Sequence, residues 1–185
     1  MEWTVPGTVL QLPQKDAQQL RQTFSSLFLG GGIVLSQVSA ITGLEPYTVQ
    51  NWVKRGFLSP PEKKRYTLRQ LCRIININML KSVVPMERIC GLLTYINGHL
   101  DDESDDIIDD SQLYFLFVDL ALQAKDLADP AVFGKALEKS LETYEEPMPG
   151  AKERVGQVLK IMLTGWMAAQ LQQQTEALIN QIRSE

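Results

Sequence analysis

The sequence predicts a mainly α chain in which a small basic helical unit carrying a hairpin precedes a larger helical unit. Three observations predict it. Apolar residues make up 44% of the 185 residues and recur at helical spacing through most of the chain. Gly and Pro punctuate the first half into short segments with recognisable starts and stops. Charge is also divided: nine Lys/Arg against three Glu between Ile33 and His99 give +6, whereas 14 Asp/Glu against three Lys between Leu100 and Glu146 give −11, within a net charge of −4.

Residues Pro13 to Leu29 read as a helix, with Leu20, Phe24, Leu27 and Phe28 at helical spacing. Gly30-Gly31-Gly32 stops it and reads as a flexible joint; no Gly-Lys-Ser/Thr follows, so it is not a phosphate loop. Ser36 is placed to cap a short helix through Thr42, with Val38 and Ile41 inward and Gly43 ending it in the left-handed conformation. Pro46 suits the first turn of a second helix, which buries Val49 and Trp52 and stops at Gly56. Two short helices around a Gly-containing turn form a helix-turn-helix pattern, with Ala40 small where the helices would approach. The stretch Phe57 to Tyr66, with two prolines and the basic run Lys63-Lys64-Arg65, suits a small hairpin, or wing. Thr67 then caps a central buried helix running to about Val84, and Pro85 restarts a helix that stops at Asn97-Gly98.

Asp101 to Asp110 reads as a solvated acidic linker. Helices are expected over Ser111 to Leu127, Pro130 to Tyr144 and, beyond a Pro-rich loop, Ala151 to Ile182. The expected organisation is therefore an N-terminal helix and Gly-rich joint (1–32), a winged helix-turn-helix unit (33–98), an acidic linker (99–110) and a helical unit (111–185) for dimerisation or effector sensing.

Several function classes are disfavoured. Cys72 and Cys90 are too few for a disulfide scaffold or most cysteine-based zinc sites, and their apolar surroundings read as buried positions. His99 alone leaves little for histidine-dependent acid–base chemistry, and no nucleophile can be paired with it, so no catalytic residue is assigned and no enzyme is expected. A calcium loop counted from Asp101 needs Gly at its sixth position and Glu at its twelfth, where Asp106 and Gln112 stand, so no metal site is expected. No cofactor is implied. The absence of a leader-like N-terminus or of a long uncharged apolar run predicts a cytoplasmic protein without a membrane span.

From Leu35 to Ile96 the chain resembles the mercury-resistance-regulator (MerR-like) DNA-binding domain. The resemblance rests on the run Ser36 to Gly43, on Tyr47-Thr48-Val49-Gln50-Asn51-Trp52, on Gly56 to Pro61, on Arg65-Tyr66-Thr67 with Leu71, and on Val84 to Ile89 with Leu92-Leu93. Gln50 and Asn51 stand where that family usually has an Arg and a Tyr. No uninterrupted helix follows its fourth, so its dimerisation mode does not carry over. The runs Gln50 to Gly56 and Leu92 to Gly98, with Asp101 to Asp106, are similar to a Gram-positive bacterial family catalogued as domain of unknown function 1836.

The resemblance implies a second helix lying in the major groove of double-stranded DNA. Tyr47, Thr48, Gln50, Asn51, Lys54 and Arg55 are then the candidate contacts. Gln50 or Asn51 would pair bidentately with adenine, and Lys54 and Arg55 would meet phosphate. On the wing, Lys63, Lys64 and Arg65 would grip the backbone and Tyr66 would add a hydroxyl or a stacking face. The expected function is a sequence-specific transcriptional regulator, a homodimer with an unidentified small-molecule effector. The alternative is a protein-interaction module of the same fold that does not bind DNA. Val155, Leu159, Met162 and Trp166 are expected at the dimer interface or in the core beneath it.

Overall fold

The computed structural model describes residues 3–100, 102–123 and 130–183. It is mainly helical, as expected, and one hydrophobic core runs from Trp3 through Leu163. At its centre lies α4 (Leu68–Leu80), ten of whose 13 residues are buried. Thr67 starts it with a reciprocal cap: its hydroxyl accepts from the Gln70 N–H at 3.2 Å, and the Gln70 side chain accepts from the Thr67 N–H at 2.9 Å.

Before α4 come α1 (Ala17–Phe28), α2 (Leu35–Thr42) and α3 (Pro46–Lys54). The first starts four residues later than Pro13, because Asp16 supplies the cap, accepting from the Gln18 and Gln19 N–H groups. The second starts at Leu35, so Ser36 lies inside it; the Gln37 side chain instead accepts from the Val34 N–H at 3.0 Å. Gly43 ends α2 at φ +70°, and Pro46 opens α3 in its first turn. Val38, Val49 and Trp52 face the core as expected. Ala40 does not lie between the helices; it is exposed.

After α4 come α5 (Met86–Asn97), α6 (Asp110–Gln123), α7 (Pro130–Ser140) and α8 (Ala151–Arg183). The part of the expected helix from Ala124 to Leu127 lies outside the described residues. α6, α8 and α5 pack around α4, and α1 packs on α6. Phe24 stacks on Tyr114 at 6.0 Å between ring centroids, and Arg21 pairs with Asp119 at 2.6 Å.

Two parts of the body depart from the sequence reading. Residues 3–12 form a small antiparallel hairpin, β1 (Trp3–Thr4) and β2 (Gln11–Leu12). It is docked by the Val9 N–H on the Ile41 carbonyl (2.9 Å), by the Asn78 amide on the Gly7 and Thr42 carbonyls (3.0 Å each), and by the Tyr114 hydroxyl on the Pro6 carbonyl (2.9 Å). The second departure is the acidic stretch, which is not a solvated linker. Ile107 and Ile108 are buried, the Ile107 N–H donates to the Ile96 carbonyl, and the Tyr144 hydroxyl donates to the Ile107 carbonyl. Asp106 and Asp110 enter the body because α4 offers them cations. Arg69 pairs with Asp106 at 2.6 Å, and Arg73 reaches the fully buried Asp110 at 3.3 Å.

Candidate nucleic-acid interface

The pair α2–α3 and the segment after α3 form one face. Ile33 and Tyr66 form an antiparallel bridge, with N···O distances of 3.0 and 2.7 Å, and Glu62 pairs with Arg65 across a two-residue turn. The wing is therefore a minimal hairpin, tied to the chain just ahead of α2. Its tip is Lys63-Lys64, at φ +48° and +64°. Two positive φ values at the centre of a two-residue turn define the primed type that matches strand twist. That turn favours Asn-Gly or Asp-Gly, because an L side chain in the left-handed region costs about 1–2 kcal/mol. Here both positions carry lysine, and both are exposed.

The predicted contacts separate once the packing is known. On α3, Tyr47 is 71% exposed, Gln50, Asn51 and Lys54 are exposed, and Thr48 is half-buried. Val49 and Trp52 hold the opposite side of α3 in the core, so these polar residues are presented together. Arg55 is exposed but engaged: its guanidinium pairs with Glu87 at 3.0 Å and lies over the Phe57 ring at 4.5 Å. On the wing, Lys63 and Lys64 project freely into solvent-exposed positions, whereas Arg65 donates to the Gly32 carbonyl at 2.9 Å. Tyr66 does not offer the outward hydroxyl or stacking face expected of it. It is 3% exposed, because its backbone is paired with Ile33 and its ring faces inward, and burial pushes its hydroxyl above the ordinary phenol range.

A groove between these elements is lined by Val34 and Leu35 at the start of α2, Gln50 and Val53 on α3, and Pro61 and Lys64 on the wing. It joins the helix and the hairpin tip in one concave surface. The arrangement combines amide side chains able to donate and accept, flanking cations, and an apolar floor.

The acidic stretch leaves this face alone. Among the described residues it pairs with Arg69 and Arg73 and with no residue of α3 or the wing tip, whose cations stay exposed. Burial drives the Asp106 carboxyl up to about 6 against the pull of Arg69, and raises Asp110 as well against that of Arg73. His99 sits at the edge of this stretch, 3.1 Å from Asp105, whose carboxyl it holds below the ordinary range. Cys72 is buried and its thiol is pushed well up by burial; Cys90 is half-buried rather than buried, and its thiol is raised less. Among the described residues, no group of three His, Cys, Asp or Glu is placed to hold a metal, and no helix is long and apolar enough to cross a membrane.

Sequence reasoning missed the strain at the wing tip, although Lys-Lys in the middle of a four-residue span between Pro61 and Tyr66 is the place where a turn must fall. It also missed a second concave feature. A cavity of about 450 Å3 lies where the N-terminal hairpin, the α2–α3 turn, the end of α4 and α8 meet, with Thr8, Leu44, Ser82 and Trp166 among its walls.

Residues 33–117 match the family described as Domain of unknown function (DUF1836). The match runs from the Ile33 bridge through the acidic stretch into α6, which agrees with that stretch being part of the packed body. The uncharacterized protein YkrK of Bacillus subtilis (strain 168) is 31% identical over 80 residues, 41% of this chain and 34% of the relative. The chain thus spans about a third of that relative's length. No solved structure matches the chain.

Proposed function

We propose that the chain is a sequence-specific DNA-binding transcriptional regulator whose residues 33–98 act as a MerR-like winged helix-turn-helix. In this reading α3 lies in the major groove with Gln50 and Asn51 at base edges, Lys54 meets phosphate, and the wing tip grips the adjacent backbone. The observation that carries the reading is the pair Lys63-Lys64. Two cations occupy the turn positions where Asn-Gly would cost least, on the same face as the exposed amides of α3. Strain retained at an exposed tip points to a use for the side chains placed there. Arg65, tied to Gly32, and Arg55, tied to Glu87, orient the wing and the end of α3, and both remain exposed.

The test is selection of genomic fragments by the purified chain at moderate salt. The expected result is an enriched site, bound more weakly by the triple variant Lys63→Ala, Lys64→Ala, Arg65→Ala. Failure to enrich any sequence overturns the reading. The groove floored by Val34, Leu35, Val53 and Pro61 supports one rival, a surface that docks an apolar peptide segment. A Val53→Asp variant that loses a protein partner while no DNA site can be selected would make the rival the better description.

A further inference from the structure

The cavity of about 450 Å3 between the N-terminal hairpin, the α2–α3 turn, the end of α4 and α8 has an interior and a rim of different chemistry. Val5, Leu44, Met79 and Ala169 line it and are buried, so they form its floor. The half-buried Trp166 stands beside them, fixed edge-on against Phe117 at 5.9 Å between ring centroids. Lys81, Ser82, Gln170 and Gln173 line it and are exposed, so they form its rim. An apolar interior with a few polar groups is the usual build of a small-molecule site, and such sites hold roughly 300–1,000 Å3. A cavity of about 150 Å3 takes a benzene, so this one has room for one or two rings and a short polar arm.

The hydrogen-bonding groups of the walls divide in the same way. Four carbonyls are already engaged. That of Val5 accepts from the Thr8 N–H and hydroxyl, that of Pro6 from the Tyr114 hydroxyl, and those of Gly7 and Thr42 from the Asn78 amide. The rim holds free donors. Among the described residues, the Lys81 ammonium, the Ser82 hydroxyl and the Gln170 and Gln173 amides make no hydrogen bond or ion pair. Among the described residues, too, Lys81 is the one charged group in the walls, and no Asp or Glu lines them.

We propose that this cavity binds a small organic acid, with one carboxylate held at the rim by Lys81 and Ser82 and a flat apolar body packed on Met79 and Trp166. One cation without a neighbouring anion matches a single negative charge. A phosphate monoester would bring about −1.5 to −2 to the same ammonium. The floor is buried and mainly apolar, so the inner end of the ligand is apolar as well. The walls from residues 42–44 and 78–82 lie within the family match, whereas those from the hairpin and α8 lie outside it. Most of the site also lies outside residues 111–185, the unit expected to sense an effector. A ligand here bridges two segments that already touch: the Val9 N–H donates to the Ile41 carbonyl, and a Cβ on Gly43 would meet Val9 Cγ1 at 2.7 Å. It therefore stiffens the turn that sets α3 against α2. The inference concerns the cavity and does not rest on the DNA-binding reading.

The experiment is titration of the full chain with matched probes, followed in 1H–15N correlation spectra. The Trp166 indole N–H signal is assigned through Trp166→Phe. The probes are benzoate and indole-3-acetate, their neutral amides benzamide and indole-3-acetamide, and acetate as a bare anion. Both aromatic acids should bind with a dissociation constant below about 1 mM and shift the Trp166 indole and Val9 amide signals. They should bind about tenfold more tightly than their amides, because the bond to Lys81 is charge-assisted. Acetate should bind far more weakly. Lys81→Gln should abolish the preference for acid over amide and leave the melting temperature unchanged, since Lys81 is exposed. Lys81→Arg should keep the preference. Ala169→Leu, which fills the floor, should weaken acid and amide alike. Failure of both acids to bind overturns the proposal, as do acids and amides that bind equally. Shifts that leave out Trp166, or that Lys81→Gln leaves unchanged, place the binding elsewhere and overturn the site. Acetate that binds as well as the aromatic acids reduces it to a counter-ion on an exposed lysine. Failure of DNA selection alongside acid binding refutes the function and leaves this site standing.

Discussion

Replacing the wing tip by the residues its backbone favours should move stability and DNA binding in opposite directions. In Lys63→Asn with Lys64→Gly, both side chains that sit at positive φ are exchanged for the pair the primed turn prefers. Left-handed backbone costs a lysine about 1–2 kcal/mol, and the added glycine gives back about 0.5–1 kcal/mol through the freedom it gains when unfolded. The net expectation is a gain of about 1 kcal/mol, which for a chain of this length is about 2–4 °C in melting temperature. Neither lysine is buried, so no packing is lost. DNA binding should weaken on every sequence. Two fewer phosphate contacts make the slope of log K against log[salt] shallower by about 1.8. The affinity deficit at 50 mM salt should then be roughly tenfold larger than at 200 mM. Fluorescence anisotropy on one labelled duplex across that range, with differential scanning calorimetry on the same preparations, reads both quantities. A variant that melts no higher refutes the strain argument. One that binds as tightly, with the same salt slope, refutes the placement of the tip on DNA.

Gln50→Ala or Asn51→Ala should relax preference at one base pair by about 1–3 kcal/mol, because an amide reads adenine but releases no counterion. Competition against single-base variants of a selected site checks this, and unchanged preference in both variants removes α3 as the reader. Gly7→Ala should destabilise the chain by about 2–3 kcal/mol or more in urea. Gly7 lies at φ +73°, and a Cβ there would sit 2.5 Å from Met79 Cγ and 2.8 Å from the Ile75 carbonyl oxygen. A near-neutral result would mean that the hairpin does not dock on α4 in solution. Asp106 gives a pH test. Burial raises its carboxyl from 3.8 to about 6, so the folded chain holds that proton more tightly than the unfolded chain between those values. Stability from this group is therefore gained as pH falls from about 6 to about 4 and lost as pH rises. The wild type should gain about 2 kcal/mol on Asp106→Asn between pH 7 and pH 4, less than the full two-unit linkage because the unfolded carboxyl is itself partly protonated at pH 4. A flat difference in denaturation midpoints would contradict it.

Short-range chemistry wrote part of this protein legibly. Gly43, Pro46 and Gly56 bound α3 because a left-handed stop and a missing N–H act within a few residues. Thr67 and Gln70 bound the start of α4 for the same reason, and the spacing of Val49 and Trp52 settles which side of α3 is left outward. The mainly α class follows from such signals summed along the chain.

Long-range pairing decided the rest. The docking of residues 3–12 depends on Asn78 and Tyr114, about 70 and 108 positions away, and no local preference anticipates an amide that bridges Gly7 and Thr42. A run of carboxylates read alone is a solvated loop. It is drawn into the body because Arg69 and Arg73 on the buried face of α4 need counter-charges that water cannot reach. Tyr66 looked like a contact because it follows three cations, and became a core residue because its backbone pairs with Ile33, 33 residues earlier. In each case the residue type was visible in the sequence, and the environment that set its role came from a partner distant along the chain.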